Sequence, residues 1–223
     1  MKSLKMRVPT GIAVFCAAAF LLAGCWWEDP VDSLHAAFEK VVDLEKPFQK
    51  EQKSLKSLEQ TESKLYDKMM KLNMDDFAQV VALSEKALTS ADKRERHLKS
   101  EKESIDKAKK EFEAHKASVE KIDDQKVRKK AESAASYMEK RYLAYDNLYK
   151  SYQNALGLDK ELYKLLQNKG AGLNELEAQL NKINKSYDEV LKQNERFNTY
   201  TTDYNKAKKD FYRAAGFDVK ESR

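Results

Sequence analysis

The sequence predicts an all-α protein, an elongated up-down-up-down four-helix bundle with coiled-coil-like packing, and three observations carry that expectation. Of its 223 residues 35% are charged, yet it holds only 6 Gly and 3 Pro, too few for the repeated reversals of a sheet protein or for glycine-rich phosphate loops. Apolar residues recur three and four apart over most of the chain, the period of a helix with one buried stripe. Turn and cap signals interrupt that pattern at few places, namely Asn73 to Asp76, Asp123-Asp124 and Gly170-Ala171-Gly172.

Ahead of the helices stands an export signal. Lys2, Lys5 and Arg7 precede an apolar run from Gly11 to Leu22, shorter than the roughly 20 residues that cross a bilayer as a helix. Leu22-Ala23-Gly24-Cys25 resembles the bacterial lipobox, in which the three residues before the cysteine are recognised by the signal peptidase. The resemblance implies that residues 1–24 are removed and that Cys25 becomes a diacylglyceryl-cysteine at the start of the mature chain. An ordinary signal with a chance cysteine is the alternative. Trp26 and Trp27 follow in a lipidated linker, residues 25–30. Indole rings favour the membrane interface, which suits this pair; exposed tryptophans in a loose linker are the other reading.

Asp29-Pro30 marks the first helix start, a capping carboxylate followed by a proline in the first turn. Helix one is expected from about 31 to 72, kinked at Pro47, with a seam of Val41, Leu44, Phe48, Leu55, Leu58, Leu65, Met69 and Leu72. Glu51 and Glu62 occupy its missing seam positions. Helix two carries Ala91, Leu98, Ile105, Phe112 and Val119 at seven-residue spacing and ends near Ile122, with Asp123-Asp124 capping the next. Helix three runs from Val127 to Leu166, dented at Gly157, and helix four begins at Leu173, where Asn194 in the seam would set the register. Helices of this length, joined by short turns, bury their stripes by folding back on one another, each about 60 Å long. Residues 31–215 are expected to form one such bundle and 216–223 a frayed tail. An open coiled coil that completes its core by dimerising is the competing architecture.

Composition also narrows the chemistry. The formal charge is +5, three basic groups leave with the signal, and the small remaining excess is spread among interleaved Lys and Glu, so no nucleic acid is expected as a partner. Cys16 leaves with the signal and Cys25 is the lipid site, so no disulfide remains. His97 and His115 lie 18 residues apart on one helix, about 27 Å, too far to share a metal. No nucleophile elbow or phosphate loop is present. Neither a metal, a cofactor nor a catalytic residue is expected, and the chain does not read as an enzyme.

One constellation remains. Tyr142, Tyr145, Tyr149 and Tyr152 form a stripe at helical spacing, facing a stretch of helix two, Asp92 to Glu103, in which Leu98 is almost the only apolar residue. Either these tyrosines pad a thin core with their hydroxyls at its polar edge, or they open a groove whose rings stack on sugars. The lipobox, Leu44-Glu45-Lys46-Pro47-Phe48, Leu72 to Phe77 (LNMDDF), Lys140 to Tyr152 (KRYLAYDNLYKSY) and Ile183 to Tyr187 (INKSY) together resemble the YkyA family of cell-wall-binding lipoproteins of Bacillus-type bacteria. The resemblance covers nearly the whole mature chain. It implies a helical bundle tethered to the outer face of a Gram-positive plasma membrane, with peptidoglycan or another wall polymer as partner and no catalytic residues. The expected role is non-enzymatic wall binding or scaffolding. The alternative is a protein-interaction or regulatory module for an envelope enzyme or chaperone client.

Overall fold

The computed structural model describes residues 29–219, all helix and connecting turn; the signal, the lipobox with Cys25 and the tryptophan pair lie outside the described residues. Five α-helices follow one another: α1 Pro30–Leu44, α2 Lys46–Met69, α3 Phe77–His115, α4 Gln125–Leu165 and α5 Leu173–Ala214. Short 3-10 helices stand at Met74–Asp76 and Lys116–Lys121. The start and stop signals do what their chemistry requires. The Asp29 carboxylate accepts from the Val31 N–H at 2.8 Å, and Asp124 accepts from the Lys126 and Val127 N–H groups at 2.7 and 3.1 Å.

Pro47 does more than kink helix one. Without an N–H, and with its ring pressed toward the carbonyl four residues back, proline cannot continue a helix in its interior. The chain interrupts the helix at Glu45 and restarts at Lys46. Gly157, by contrast, leaves α4 unbroken, and no atom lies within 4 Å of where its Cβ would stand. At the far end the chain does not fray at Gly216. That residue has φ 83° and caps α5 in a Schellman turn, with the Phe217 N–H donating to the Tyr212 carbonyl at 2.9 Å and the two rings packing edge-on at 5.8 Å. Phe217 also stacks on His35 at 4.0 Å.

The described residues form two compact units that draw on the same helices. One comprises residues 50–101 and 147–194; the other comprises residues 29–49, 102–146 and 195–219. Each is a four-helix cross-section, and in each the contacts reveal the direction of the chain. In the second unit Glu45 meets Arg141 and Phe48 meets Tyr145, numbers rising together, so the first and third helical lines run parallel. Phe38 meets Phe211 while Phe48 meets Phe197, numbers opposing, so the first and last run antiparallel. The first unit shows the same relations, with Glu59 against Tyr152 and Glu62 against Tyr163, but Asp159 against Tyr187 and Glu161 against Gln179. Up-down-up-down helical packing is thus the observed architecture.

The seven-residue series from Ala91 to Val119 is buried throughout, its first four members on α3 and Val119 on the 3-10 helix that follows, where the α-helix gives way before the expected end near Ile122. Along α2 the buried face departs from the expected seam. Leu58, Leu65 and Leu72 are only half-buried, while Leu55, Glu59, Glu62, Tyr66 and Met69 face inward. Asn194, expected as a buried register device, is also half-buried. Two arginines hold that role instead. Arg141 is 2% exposed, and its two terminal nitrogens each donate to a Glu45 carboxylate oxygen at 2.7 Å, while its Nε donates to Thr201 Oγ1 at 3.1 Å. The helix break at Glu45 therefore delivers a carboxylate to a buried guanidinium, and the bidentate geometry is the strong form of such a pair. Two nearby hydroxyls have no such match. Tyr142 and Tyr204 are buried with no hydrogen-bond partner among the described residues.

Gly157→Ala is expected to stabilise the protein by roughly 0.5–1 kcal/mol, because it adds helix propensity in open space; a lower urea midpoint would contradict the unstrained geometry. Glu45→Ala leaves the Arg141 charge buried and unpaired, for an expected loss of about 3–5 kcal/mol. Tyr204→Phe removes an unsatisfied hydroxyl and is expected to be neutral or stabilising by up to about 1 kcal/mol. Equilibrium denaturation of the three variants side by side checks this ordering.

Candidate functional site

The first unit, residues 50–101 and 147–194, has at its centre the side chain of Arg94. On α3 it stands three residues after Ala91 and four before Leu98, so helical spacing places it on the buried seam. It is 1% exposed. All five of its N–H donors find acceptors. Nε reaches the Tyr152 hydroxyl at 3.1 Å, Nη1 reaches Glu62 Oε2 at 2.8 Å and Asp159 Oδ2 at 3.0 Å, and Nη2 reaches the Tyr152 and Tyr187 hydroxyls at 2.9 and 2.8 Å. The two phenols pass the hydrogen bond on, Tyr152 donating to Glu59 and Tyr187 to Asp159, each at 2.5 Å. Tyr163 donates to Glu62 Oε2 at 3.2 Å. Segments of α2, α3, α4 and α5 all contribute. Burial pushes the carboxyl groups of Glu59, Glu62 and Asp159 above their ordinary range, and the Arg94 charge pulls against it without reversing the direction.

This network decides the fate of the tyrosine stripe. Tyr142, Tyr145 and Tyr152 are buried, and only Tyr149 keeps a half-exposed ring, its hydroxyl accepting from Gln153 Nε2 at 3.0 Å. Tyr145 packs against Phe48 and Phe197 with centroids 5.9 and 5.5 Å apart. The faces of the three buried rings are covered by protein, where a sugar cannot stack, and an open aromatic groove is not formed there. The Tyr152 hydroxyl finds its partners inside the core, accepting from Arg94 and donating to Glu59. The apolar-poor stretch of α3 that faced the stripe is where the buried guanidinium sits.

A surface that can take a ligand lies elsewhere in the same unit. Between α4 and α5 runs a groove of about 750 Å³ lined by Lys150, Ser151, Asn154 and Leu158 on one side and Lys182, Lys185, Ser186, Asp188, Glu189 and Lys192 on the other. Lys182, Lys185 and Lys192 fall on one face of α5 by helical spacing. Asn154 Nδ2 donates to Ser186 Oγ at 2.9 Å across the floor. Lys192 lies 3.8 Å from Glu189, whereas Lys150, Lys182 and Lys185 form no ion pair among the described residues. Four ammonium groups against two carboxylates leave the groove positive. Its chemistry is capture of an anion by mobile point charges, with hydroxyl and amide groups able to hydrogen-bond a polyol.

The three histidines are apart from one another. His97 contacts Glu51, His115 Nδ1 lies 2.9 Å from the Glu111 carbonyl, and His35 sits between Tyr212 and Phe217. Among the described residues no group of three or more His, Cys, Asp or Glu has the arrangement of a metal site, and no helix is long and apolar enough to cross a membrane.

Comparison with known proteins bears on the whole described region. The family model YkyA, described as "Putative cell-wall binding lipoprotein", matches residues 29–214. A Bacillus subtilis (strain 168) protein named "Uncharacterized lipoprotein YkyA" is 49% identical over 220 residues, with 99% of each chain covered. A crystal structure of a conserved protein of unknown function from Staphylococcus aureus shares the fold with a TM-score of 0.71 at 20% identity, covering 81% of this chain and 91% of that one. The match over residues 29–214 and the 49% identity across nearly the whole chain bear out the family resemblance: this chain belongs to the YkyA family of lipoproteins.

Proposed function

We propose that the protein is a non-enzymatic lipoprotein, anchored through Cys25 on the outer face of the plasma membrane, that holds anionic wall polymer in the groove between α4 and α5. The family's description supports wall association in general. The observation that carries the finer reading is the lysine lining of the groove, where Lys150, Lys182 and Lys185 face solvent without an ion pair among the described residues. A phosphodiester polymer repeats negative charge along a flexible chain, and a row of ammonium groups on one helix face matches it without demanding a rigid fit. Among the four tyrosines of the stripe, Tyr149 alone has a ring exposed enough to add a stacking contact.

Two acyl chains at about 0.8 kcal/mol per buried CH₂ make a stable anchor, which two indole rings alone do not. Cys25→Ala is therefore expected to accumulate as uncleaved precursor or to leave the membrane, without incorporation of labelled fatty acid. A mature-size, membrane-bound product from this variant would refute the assignment.

Sedimentation of the purified mature protein with isolated cell walls tests the groove. Lys182→Glu combined with Lys185→Glu is expected to weaken association by roughly tenfold or more at low salt, and rising ionic strength should weaken the wild type in the same direction. Walls stripped of their phosphodiester polymers should retain little protein. Undiminished sedimentation of a folded double variant would remove the groove from the account, and a single dominant protein crosslink in cells, without wall association, would favour an interaction module instead.

A further inference from the structure

The charges around Arg94 do not balance. One guanidinium faces Glu59, Glu62 and Asp159, and none of the three carboxylates is more than 8% exposed. The groups that face them are known from every packed segment: Glu59 and Glu62 on α2, Ser90 and Arg94 on α3, Tyr152, Asp159 and Tyr163 on α4, and Tyr187 on α5. Lys56 acts on Glu59 from the exposed side of α2. Among the described residues Arg94 is thus the one cation inside the layer, and three ionised acids would leave it with two uncompensated negative charges in a buried layer. Such an excess is far more costly than a neutral carboxylic acid.

A second, independent observation says where protons belong. Glu62 Oε1 and Asp159 Oδ1, both on fully buried residues, have no hydrogen-bond partner among the described residues, while the other oxygen of each carboxylate accepts from Arg94. Ser90 Oγ, on the neighbouring turn of α3, is likewise buried without a partner, and it belongs to the surroundings of Glu62. An ionised Asp159 Oδ1 would be an unmet acceptor, whereas a protonated one becomes a donor; at Glu62 the Ser90 hydroxyl can donate to an ionised oxygen, which pulls the carboxyl down, or accept from a protonated one, so there the charge excess decides.

We propose that the Arg94 layer is a proton-binding site, in which Glu62 and Asp159 are held as neutral carboxylic acids in the folded protein at neutral pH, so that folding of this unit takes up protons. The direction of the shifts agrees, since burial raises all three acids. The sign of the linkage follows. A carboxyl whose folded value lies above its unfolded one contributes stability that is fully present below the ordinary carboxylate range and is lost as pH rises through the folded value. The unit should therefore tighten in mild acid and loosen toward alkali, opposite to the usual behaviour of a carboxylate paired with an arginine. The site is built on the inner faces of the helices whose outer faces carry the lysine groove: Asp159 follows Leu158, and Tyr187 stands between Ser186 and Asp188.

The test is urea denaturation of the full mature chain from about pH 5 to pH 8, a range above unperturbed carboxylate values, with Glu62→Gln, Asp159→Asn and a surface control, Glu139→Gln. The expected result is a wild-type midpoint that falls as pH rises, with the slope reduced in each buried-site amide variant and unchanged in Glu139→Gln. Taking slopes as differences from wild type cancels other titrating groups, His35 included, whose imidazole is lowered by burial and has the opposite sign. Should either amide variant fail to fold, infrared spectra of the wild type decide the matter. The carbonyl stretch of an un-ionised carboxylic acid must be present at neutral pH and disappear in alkali. Its absence overturns the proposal, as does a wild-type midpoint that stays level or rises with pH. A midpoint that depends on sodium or potassium in place of pH also overturns it, because the missing charge would then be an inorganic cation.

Discussion

A fully buried guanidinium is the constraint on which each unit depends. In a narrow four-helix core the apolar stripe supplies adhesion with little directional preference, and sliding one helix by a turn would replace one set of leucines with another. Arg94 and Arg141 remove that freedom. Each must meet oxygen atoms at hydrogen-bond distance inside the protein, and the acceptors come from different helices at single positions. Any other register would leave a buried charge without partners, which is the more severe penalty in a protein interior. Specifying register through polar core residues is well attested in coiled coils, and here arginine fills the role expected of Asn194.

The two arginines solve the problem differently. Arg141 is balanced one to one by Glu45, whose position is set by the helix interruption ahead of Pro47. Local backbone chemistry and tertiary pairing therefore coincide at one residue. Arg94 gathers acids and phenols into a shell in which every donor is used but two carboxylate oxygens are not. The first arrangement is self-contained, whereas the second is complete only with added protons.

Much of the helical frame was legible in the sequence because it rests on local signals. Asp29, Asp124 and the Gly170-Ala171-Gly172 break act within a turn or two of the chain, and the seven-residue series from Ala91 to Val119 is apolar at every step. Helical spacing places Glu62 on the seam, where it is buried, but its partner is not legible locally, because an ion pair across helices depends on tertiary register. Arg94 had a signal that could have found it: it occupies the seam between Ala91 and Leu98, in the stretch where apolar residues run out. A charged residue at such a position reads as solvent-facing only if every seam position is assumed to be apolar. The tyrosine stripe shows the converse. Its spacing was real, but three of its rings turn inward, two of them beside the buried arginines, with a guanidinium 5.1 Å from the ring of Tyr152 and 5.8 Å from that of Tyr142.

The reach of the Arg94 contacts along the chain bears on the order of folding. Its partners lie 32 residues away at Glu62, 58 at Tyr152, 65 at Asp159 and 93 at Tyr187, so no local hairpin can satisfy it. Helical segments and adjacent antiparallel pairs can form early from short-range contacts, but the guanidinium stays solvated until the fourth segment arrives. The layer therefore closes on the native side of the folding barrier. Weakening it should chiefly hasten unfolding and leave the rate of folding nearly unchanged. The same layer sets how long the folded state lasts between rare openings, a kinetic property distinct from how strongly the helices attract one another.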